Sequence, residues 1–94
     1  IKIIIDFNRS NDRALKLDPL EAKIDSFGFE VLVLDGHDHI KLTEGLKHKS
    51  EVKPCVIIAQ TIKGKGIKEM ENNPEWHHKT PSEEDVKRML EELS

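Results

Sequence analysis

The stretch that most constrains the fold is the opening one, Ile1–Phe7, in which four of the first five residues are isoleucine. Isoleucine is branched at Cβ, which favours a pleated strand. Because apolar side chains fall on both faces rather than alternating, the pattern predicts a central strand of a parallel sheet that is covered on both sides. Two further apolar runs, Phe29–Leu34 and Cys55–Ala59, predict the second and third strands.

The segment after the first strand carries a helix-start signal. Asp18 is predicted to be the N-cap, with Pro19 at the first helical position and Glu21 at the capping-box position. Gly28 then lies where a left-handed residue commonly follows a helix. The helix is predicted to have one apolar face, formed by Leu20, Ile24 and Phe27.

Two more helices are predicted. One covers about His39 to Lys49 with Asp38 as its N-cap. The other opens at Ser82–Asp85, where acidic residues suit the first turn. Its predicted apolar stripe consists of Val86, Met89, Leu90 and Leu93. Residues 67–81 show no period and predict a long loop. The order strand, helix, strand, helix, strand, loop, helix predicts an α/β fold, a parallel sheet with flanking helices and right-handed crossovers.

Composition narrows the function. The chain has 94 residues, which fits one small domain, and its formal charge of -3 argues against a general nucleic-acid binder. Cys55 is the only cysteine, so an intrachain disulfide and a Cys-rich zinc site are excluded. Neither a transmembrane-length apolar stretch nor a signal-peptide pattern is present, so we expect a cytoplasmic protein without membrane contact. Because Ile1 lies directly inside a strand, we also expect either preceding sequence or a partner chain that covers it.

The predicted carboxyl ends of the strands gather three polar clusters, Asp6–Asn11, Asp35–Asp38 and Thr61–Gly66. Ligands bind at that edge of parallel sheets. The oxygens of the first cluster suit Mg²⁺ or Ca²⁺, and the lysines and glycines of the third suit a phosphate. The alternatives are an ordinary turn after a strand and a solvated Gly-rich loop.

Trp76–Lys79 holds the only tryptophan and two of the five histidines. Histidine can bind phosphate, move protons or ligate zinc. The alternative is a polar loop fixed by Trp76. A zinc site would use His37, His39, His77 and His78, but their spacings fit no common signature.

Six motifs in order resemble the transketolase family, specifically the later part of its thiamine-diphosphate-binding domain. They are Ile5–Asn8, Pro19–Lys23 with Phe27–Val31, Asp35–Asp38, Thr61–Gly66, Met70–Asn72 and Trp76-His77-x-Lys79. The resemblance covers the whole chain. It implies that residues 1–94 form the C-terminal part, or second half, of that domain.

The resemblance also implies roles for individual residues. Asn8 matches an asparagine whose side-chain oxygen ligates the divalent metal, Mg²⁺ or Ca²⁺, beside the cofactor, and Ser10 matches a position whose backbone carbonyl ligates the same metal. Lys63 matches a lysine near the cofactor. His77 matches a catalytic histidine between the cofactor diphosphate and the sugar substrate. Lys79 follows at the family spacing.

The chain departs from the family pattern in several places. The Gly-Asp-Gly half of the cofactor motif and the pyrimidine-binding domain with its activating glutamate are absent from the sequence. Phe29 stands in place of the usual tryptophan, and His78 in place of the usual glycine. The loop from Asn8 to Asp18 is short and lacks the typical Asp-Gly pair.

The function expected from the resemblance is ketol transfer. The chain would be one component of a transketolase-like enzyme that transfers a two-carbon ketol unit between sugar or sugar-phosphate substrates with thiamine diphosphate and a divalent metal. Partner chains in a hetero-oligomer would supply the Gly-Asp-Gly half and the pyrimidine-binding domain. The alternatives are a non-catalytic interaction module, a remnant of the same fold held by partner chains, and an unrelated phosphate-binding α/β module for nucleotides.

Overall fold

The computed structural model describes residues 1–94, and its elements follow the predicted order. The elements are β1 (Lys2–Phe7), α1 (Leu20–Ser26), β2 (Glu30–Asp35), α2 (His39–Lys47), β3 (Cys55–Gln60), a 3₁₀ turn (Pro74–His77) and α3 (Glu83–Leu93). The predicted α/β class is therefore confirmed. The chain divides into two compact units, Ile1–Thr61 and Ile62–Ser94.

The first unit is built on a parallel sheet with the strand order β1-β3-β2. Its core is β3, where all residues from Cys55 to Ala59 are at most 5% exposed. The prediction that the opening strand is central is wrong for this sheet. β1 pairs only with β3, and Ile3 and Ile4 of β1 remain 42% and 54% exposed. The apolar run predicted a strand correctly, but a run of this kind does not specify which neighbours the strand has.

Helix α1 starts differently from the prediction. Its N-cap is Pro19, and no side chain caps it, so Asp18 is not the N-cap and Glu21 completes no capping box. The reason is that the Asp18 carboxylate accepts two hydrogen bonds from Arg9 instead. At the other end Gly28 has a φ of 89°, as predicted for the residue after the helix. Phe27 is 81% exposed as the C-cap and is not part of a buried face.

Helix α2 follows the sequence signals closely. The Asp38 side chain accepts hydrogen bonds from the backbone N–H of Ile40 and Lys41, which confirms the N-cap. Gly45 is buried, and a Cβ there would lie 2.8 Å from Leu34 Cδ2. The helix therefore needs a glycine where it packs against β2.

The second unit contains the loop after β3, the 3₁₀ turn and α3. Ser82 and Asp85 form a capping box at the start of α3, as the sequence indicates. Of the predicted apolar stripe, only Met89 is buried, at 5% exposure, whereas Leu90 and Leu93 are 61% and 58% exposed. Residues 67–81 form a loop as predicted, except that they include the 3₁₀ turn. The longest helix has 11 residues, and no helix has the length and hydropathy needed to cross a membrane.

Candidate functional site

The carboxyl edge of the sheet brings the ends of all three strands together in the first unit. Thr61 directly follows β3, its hydroxyl donates to the Asp6 carboxylate at the end of β1, and its N–H donates to the carbonyl of Phe7. On the other side, Gly36 follows β2 and donates its N–H to the carbonyl of Gln60. The parallel register thus joins the start of each predicted polar cluster at one edge.

The predicted metal ligands Asn8 and Ser10 lie in one tight turn after β1. The Asn8 side-chain oxygen accepts a hydrogen bond from the Ser10 N–H at 2.9 Å. Arg9, between them, adopts a left-handed conformation with φ of 62°. An amide oxygen has two lone pairs, so one of them remains after this contact. Amide and carbonyl oxygens are donors that Mg²⁺ and Ca²⁺ accept, and the turn therefore fits such a cation.

Arg9 connects this turn to the segment before α1, a contact that sequence reasoning missed. Its guanidinium donates to both carboxylate oxygens of Asp18, at 2.6 and 3.1 Å. The hydrogen bond from Arg9 lowers the pKa of Asp18 below its ordinary value. The guanidinium also lies 4.8 Å from the ring centre of Phe7. No spacing rule pairs two residues across an irregular loop, so no sequence signal predicts this link.

The second unit brings the predicted residues Lys63 and His77 into direct contact. The Lys63 ammonium lies within hydrogen-bonding distance of Nδ1 of His77. The two residues are 14 positions apart, in segments without a regular period. The prediction that both serve one function did not include a contact between them.

Backbone contacts hold both ends of this pair. The carbonyl of Lys63 accepts a hydrogen bond from the N–H of Asn72 at 2.9 Å. The adjacent Asn73 caps the 3₁₀ turn that carries His77, because its side chain accepts from the N–H of Glu75 at 3.1 Å. Lys63 and His77 are therefore both attached to the segment that contains Asn72 and Asn73.

The glycine after Lys63 is required by its surroundings. Gly64 has a φ of 79°, and a Cβ there would lie 2.6 Å from the carbonyl oxygen of Met70. A side chain would be strained in this conformation and would also meet the backbone. The turn after Lys63 therefore depends on glycine.

The rest of the Trp76–Lys79 segment packs on itself. The Lys79 ammonium lies 4.2 Å from the ring centre of Trp76, a cation–π arrangement. The rings of His77 and His78 meet edge to face, with centres 4.3 Å apart. His78, which replaces the usual glycine, is thus a direct neighbour of the candidate catalytic histidine.

The structure contains no group of three or more His, Cys, Asp or Glu side chains that could hold a metal ion. A metal in this chain would therefore depend on oxygens of other kinds, as predicted for Asn8 and Ser10. The structure brings together Asn8 with Ser10 and Lys63 with His77. The first pair belongs to the first compact unit and the second pair to the second unit.

Comparisons with known proteins identify relatives of the chain. It is 44% identical over 77 residues, which cover 81% of this chain, to an apulose-4-phosphate transketolase component from Actinobacillus succinogenes. It is 30% identical over 99 residues, covering 97% of this chain, to the protein of the same name from Phocaeicola vulgatus. Human transketolase is 28% identical over 95 residues, or 96% of this chain. No family model matches the chain.

The chain spans only 28% and 35% of the lengths of these two bacterial relatives, and 15% of the human protein. The aligned region nevertheless includes nearly all of the chain in two of the three comparisons. The similarity therefore extends across the strands, the helices and the loops that carry the candidate residues. From this similarity, and from the parallel α/β fold, we conclude that the chain belongs to the transketolase family.

Proposed function

We propose that this chain is one component of a transketolase-like enzyme, in which residues 1–94 form the later part of the thiamine-diphosphate-binding domain. The enzyme would transfer a two-carbon ketol unit between sugar substrates. Membership of the transketolase family supports the proposal, and the single structural observation that carries it is the pairing of Lys63 with His77.

In this proposal, Asn8 and Ser10 hold the divalent metal. Asn8 would contribute its remaining amide lone pair, and Ser10 its backbone carbonyl. Both residues would act in binding, because a cation held by neutral oxygens neutralises a diphosphate without taking part in proton transfer. When bound, thiamine diphosphate supplies the carbanion chemistry of ketol transfer.

Lys63 and His77 would supply charge and proton handling. An ammonium group attracts a diphosphate, and a neutral imidazole both donates and accepts hydrogen bonds. His77 would touch the sugar substrate and assist proton movement. Lys79 would add positive charge close to the same segment, although its ammonium lies over the Trp76 ring.

The names of the relatives suggest a partner and a substrate class. Both bacterial relatives are named as one of the subunits of an apulose-4-phosphate transketolase. By analogy, a second kind of chain would supply the Gly-Asp-Gly half, the pyrimidine-binding domain or both. A sugar phosphate is the substrate class to test first, beginning with apulose 4-phosphate.

The test is ketol transfer by the native complex that contains this chain, with thiamine diphosphate and Mg²⁺ added. Replacing His77 with Ala should lower kcat by about 100-fold or more, the usual range for a lost general acid or base. Cofactor affinity should change much less. His39→Ala, at the exposed start of α2, is the matched control and should retain activity. If His77→Ala changes neither transfer nor cofactor affinity, His77 has only a structural role.

The alternative of a non-catalytic module also has one observation in its favour, the packing of His78 against His77 where the family has glycine. The same assay separates the two functions. A native complex that assembles with its partner chains but transfers no ketol unit would support the module.

A further inference from the structure

We infer that Lys63 is a positioning residue, which fixes His77 in the tautomer that carries its proton on Nε2. The inference rests on the proposed function, in which His77 is the residue that touches the substrate. It assigns to Lys63 an action through His77, in addition to any contact with the cofactor.

The direction of the hydrogen bond follows from the chemistry of lysine. A lysine ammonium has three donors and no acceptor. Nδ1 of His77 must therefore be the acceptor in its contact with Lys63. A neutral imidazole carries one proton, so that proton lies on Nε2. A ring with a proton on Nδ1 would turn one donor toward another and lose the contact.

Backbone contacts hold the Lys63–His77 pair in place. The carbonyl of Lys63 is bound by the N–H of Asn72, and the 3₁₀ turn that carries His77 is capped by Asn73. The Asn73 side chain also donates to the carbonyl of Glu69 at 3.0 Å, which anchors the cap to the preceding turn. Both partners therefore start from a fixed backbone, so less side-chain freedom is lost when the contact forms.

The His77 ring is restrained and still accessible. His78 packs against one edge of His77, with the rings inclined at 73°. His77 as a residue remains exposed, so a substrate can reach it. Two restraints, Lys63 at Nδ1 and His78 against the ring, thus act on a histidine that is open to solvent. The nitrogen that remains available to a substrate is a proton donor, Nε2–H.

The most direct test is ¹⁵N NMR of the native complex, with histidine labelled in this chain. The His77 signals are assigned by their loss in His77→Gln. In the wild type, Nδ1 should have the shift of an unprotonated nitrogen that accepts a hydrogen bond, and Nε2 that of a protonated one. Lys63→Met should move the Nδ1 signal toward that of an unprotonated nitrogen without a donor. Lys63→Arg, which keeps a cationic donor, should restore much of the original shift.

The matched control is Lys65→Met, which removes the same charge two positions away in the same loop. Its Nδ1 signal should equal that of the wild type. An Nδ1 signal that is the same in Lys63→Met as in the wild type would overturn the inference. That result would be obtained whether or not the complex transfers a ketol unit.

A kinetic double-mutant cycle tests the consequence. Lys63→Met should lower kcat by about 10-fold when His77 is present, a fraction of the loss expected for removing the histidine itself. In a His77→Gln background the same substitution should cost less than about 2-fold, because two residues that act as a unit are not additive. Equal factors in both backgrounds would contradict positioning. Cofactor affinity, measured alongside, reports any direct contact of Lys63 with the diphosphate.

Failure of the proposed function gives a different pattern. A wild-type complex that transfers no ketol unit, but whose Nδ1 signal responds to Lys63→Met, would remove the enzyme proposal and keep the action of Lys63 on the His77 tautomer. The two conclusions can therefore fail separately.

Discussion

The two compact units hold their candidate residues by different means. In the first unit, Asn8 and Ser10 follow a strand that pairs with β3, whose residues are almost completely buried. In the second, Met89 is the only buried hydrophobic residue, and polar contacts hold the segments together. They include Lys63 with His77, Arg88 with Glu69 and Asp85, and the N–H of Lys68 with Glu92.

This contrast shows what each unit is sensitive to. A unit built on an apolar strand loses stability when buried volume is removed. A unit held by directional contacts and a tight glycine turn responds instead to changes in backbone geometry and in charge. The turn at Asn8 therefore depends on packing beneath it, whereas the Lys63–His77 pair depends on the backbone around Gly64 and Asn73.

The largest expected effect is in the first unit. Ile57, in the middle of β3, is 1% exposed. Ile57→Ala should lower the free energy of unfolding by about 2–5 kcal/mol, because it leaves a cavity in a packed core. Urea unfolding followed by circular dichroism measures the change. Ile4→Ala, on the edge strand, should cost less than about 1 kcal/mol. Equal costs at the two positions would contradict the central place of β3.

The next effect compares one glycine from each unit. Gly64→Ala should cost about 2–4 kcal/mol, because it combines a left-handed conformation with a clash against the Met70 carbonyl. Gly28 has a similar φ of 89° but nothing within 4 Å of its Cβ position, so Gly28→Ala should cost only about 1 kcal/mol. Fluorescence of Trp76, the single tryptophan, follows unfolding of the second unit. A Gly64 variant as stable as the wild type would show that the turn tolerates a side chain.

The smallest effect is electrostatic and belongs to the second unit. Hydrogen bonds from the Ser82 backbone and from Arg88 lower the pKa of Asp85 from 3.8 to about 2. Because the folded pKa is below the unfolded one, this contribution to stability is fully present above pH 3.8 and is lost as the pH falls toward 2. Unfolding followed by Trp76 fluorescence over this range should show the loss, and Asp85→Asn should flatten it. An unchanged pH dependence in Asp85→Asn would contradict the assignment.

Local signals in the sequence predicted much of the fold. Asp38 and Ser82 are N-caps as predicted, because capping depends on residues within one turn of the helix start. Gly28 is left-handed for a similarly local reason. The same local reasoning was wrong at Asp18, because Arg9, nine positions away, binds that carboxylate instead.

Contacts between distant segments could not be predicted. The apolar run Ile1–Phe7 predicts a strand, but its position at the edge of the sheet depends on which strands pair. The resemblance to transketolases singled out Lys63 and His77, yet their hydrogen bond depends on a loop without a regular period. The link between Arg9 and Asp18 had no signal at all in the sequence.

The central claim is that this chain contributes to a metal-dependent thiamine diphosphate site. The most direct measurement is calorimetric titration of thiamine diphosphate into the native complex with Mg²⁺, comparing the wild type with Asn8→Ala. We expect Mg²⁺-dependent binding that Asn8→Ala weakens by at least about 10-fold, as for a disturbed metal site. Asn11→Ala, in the same loop, should bind as the wild type does. Unchanged affinity in Asn8→Ala, or no binding by the wild-type complex, would contradict the claim.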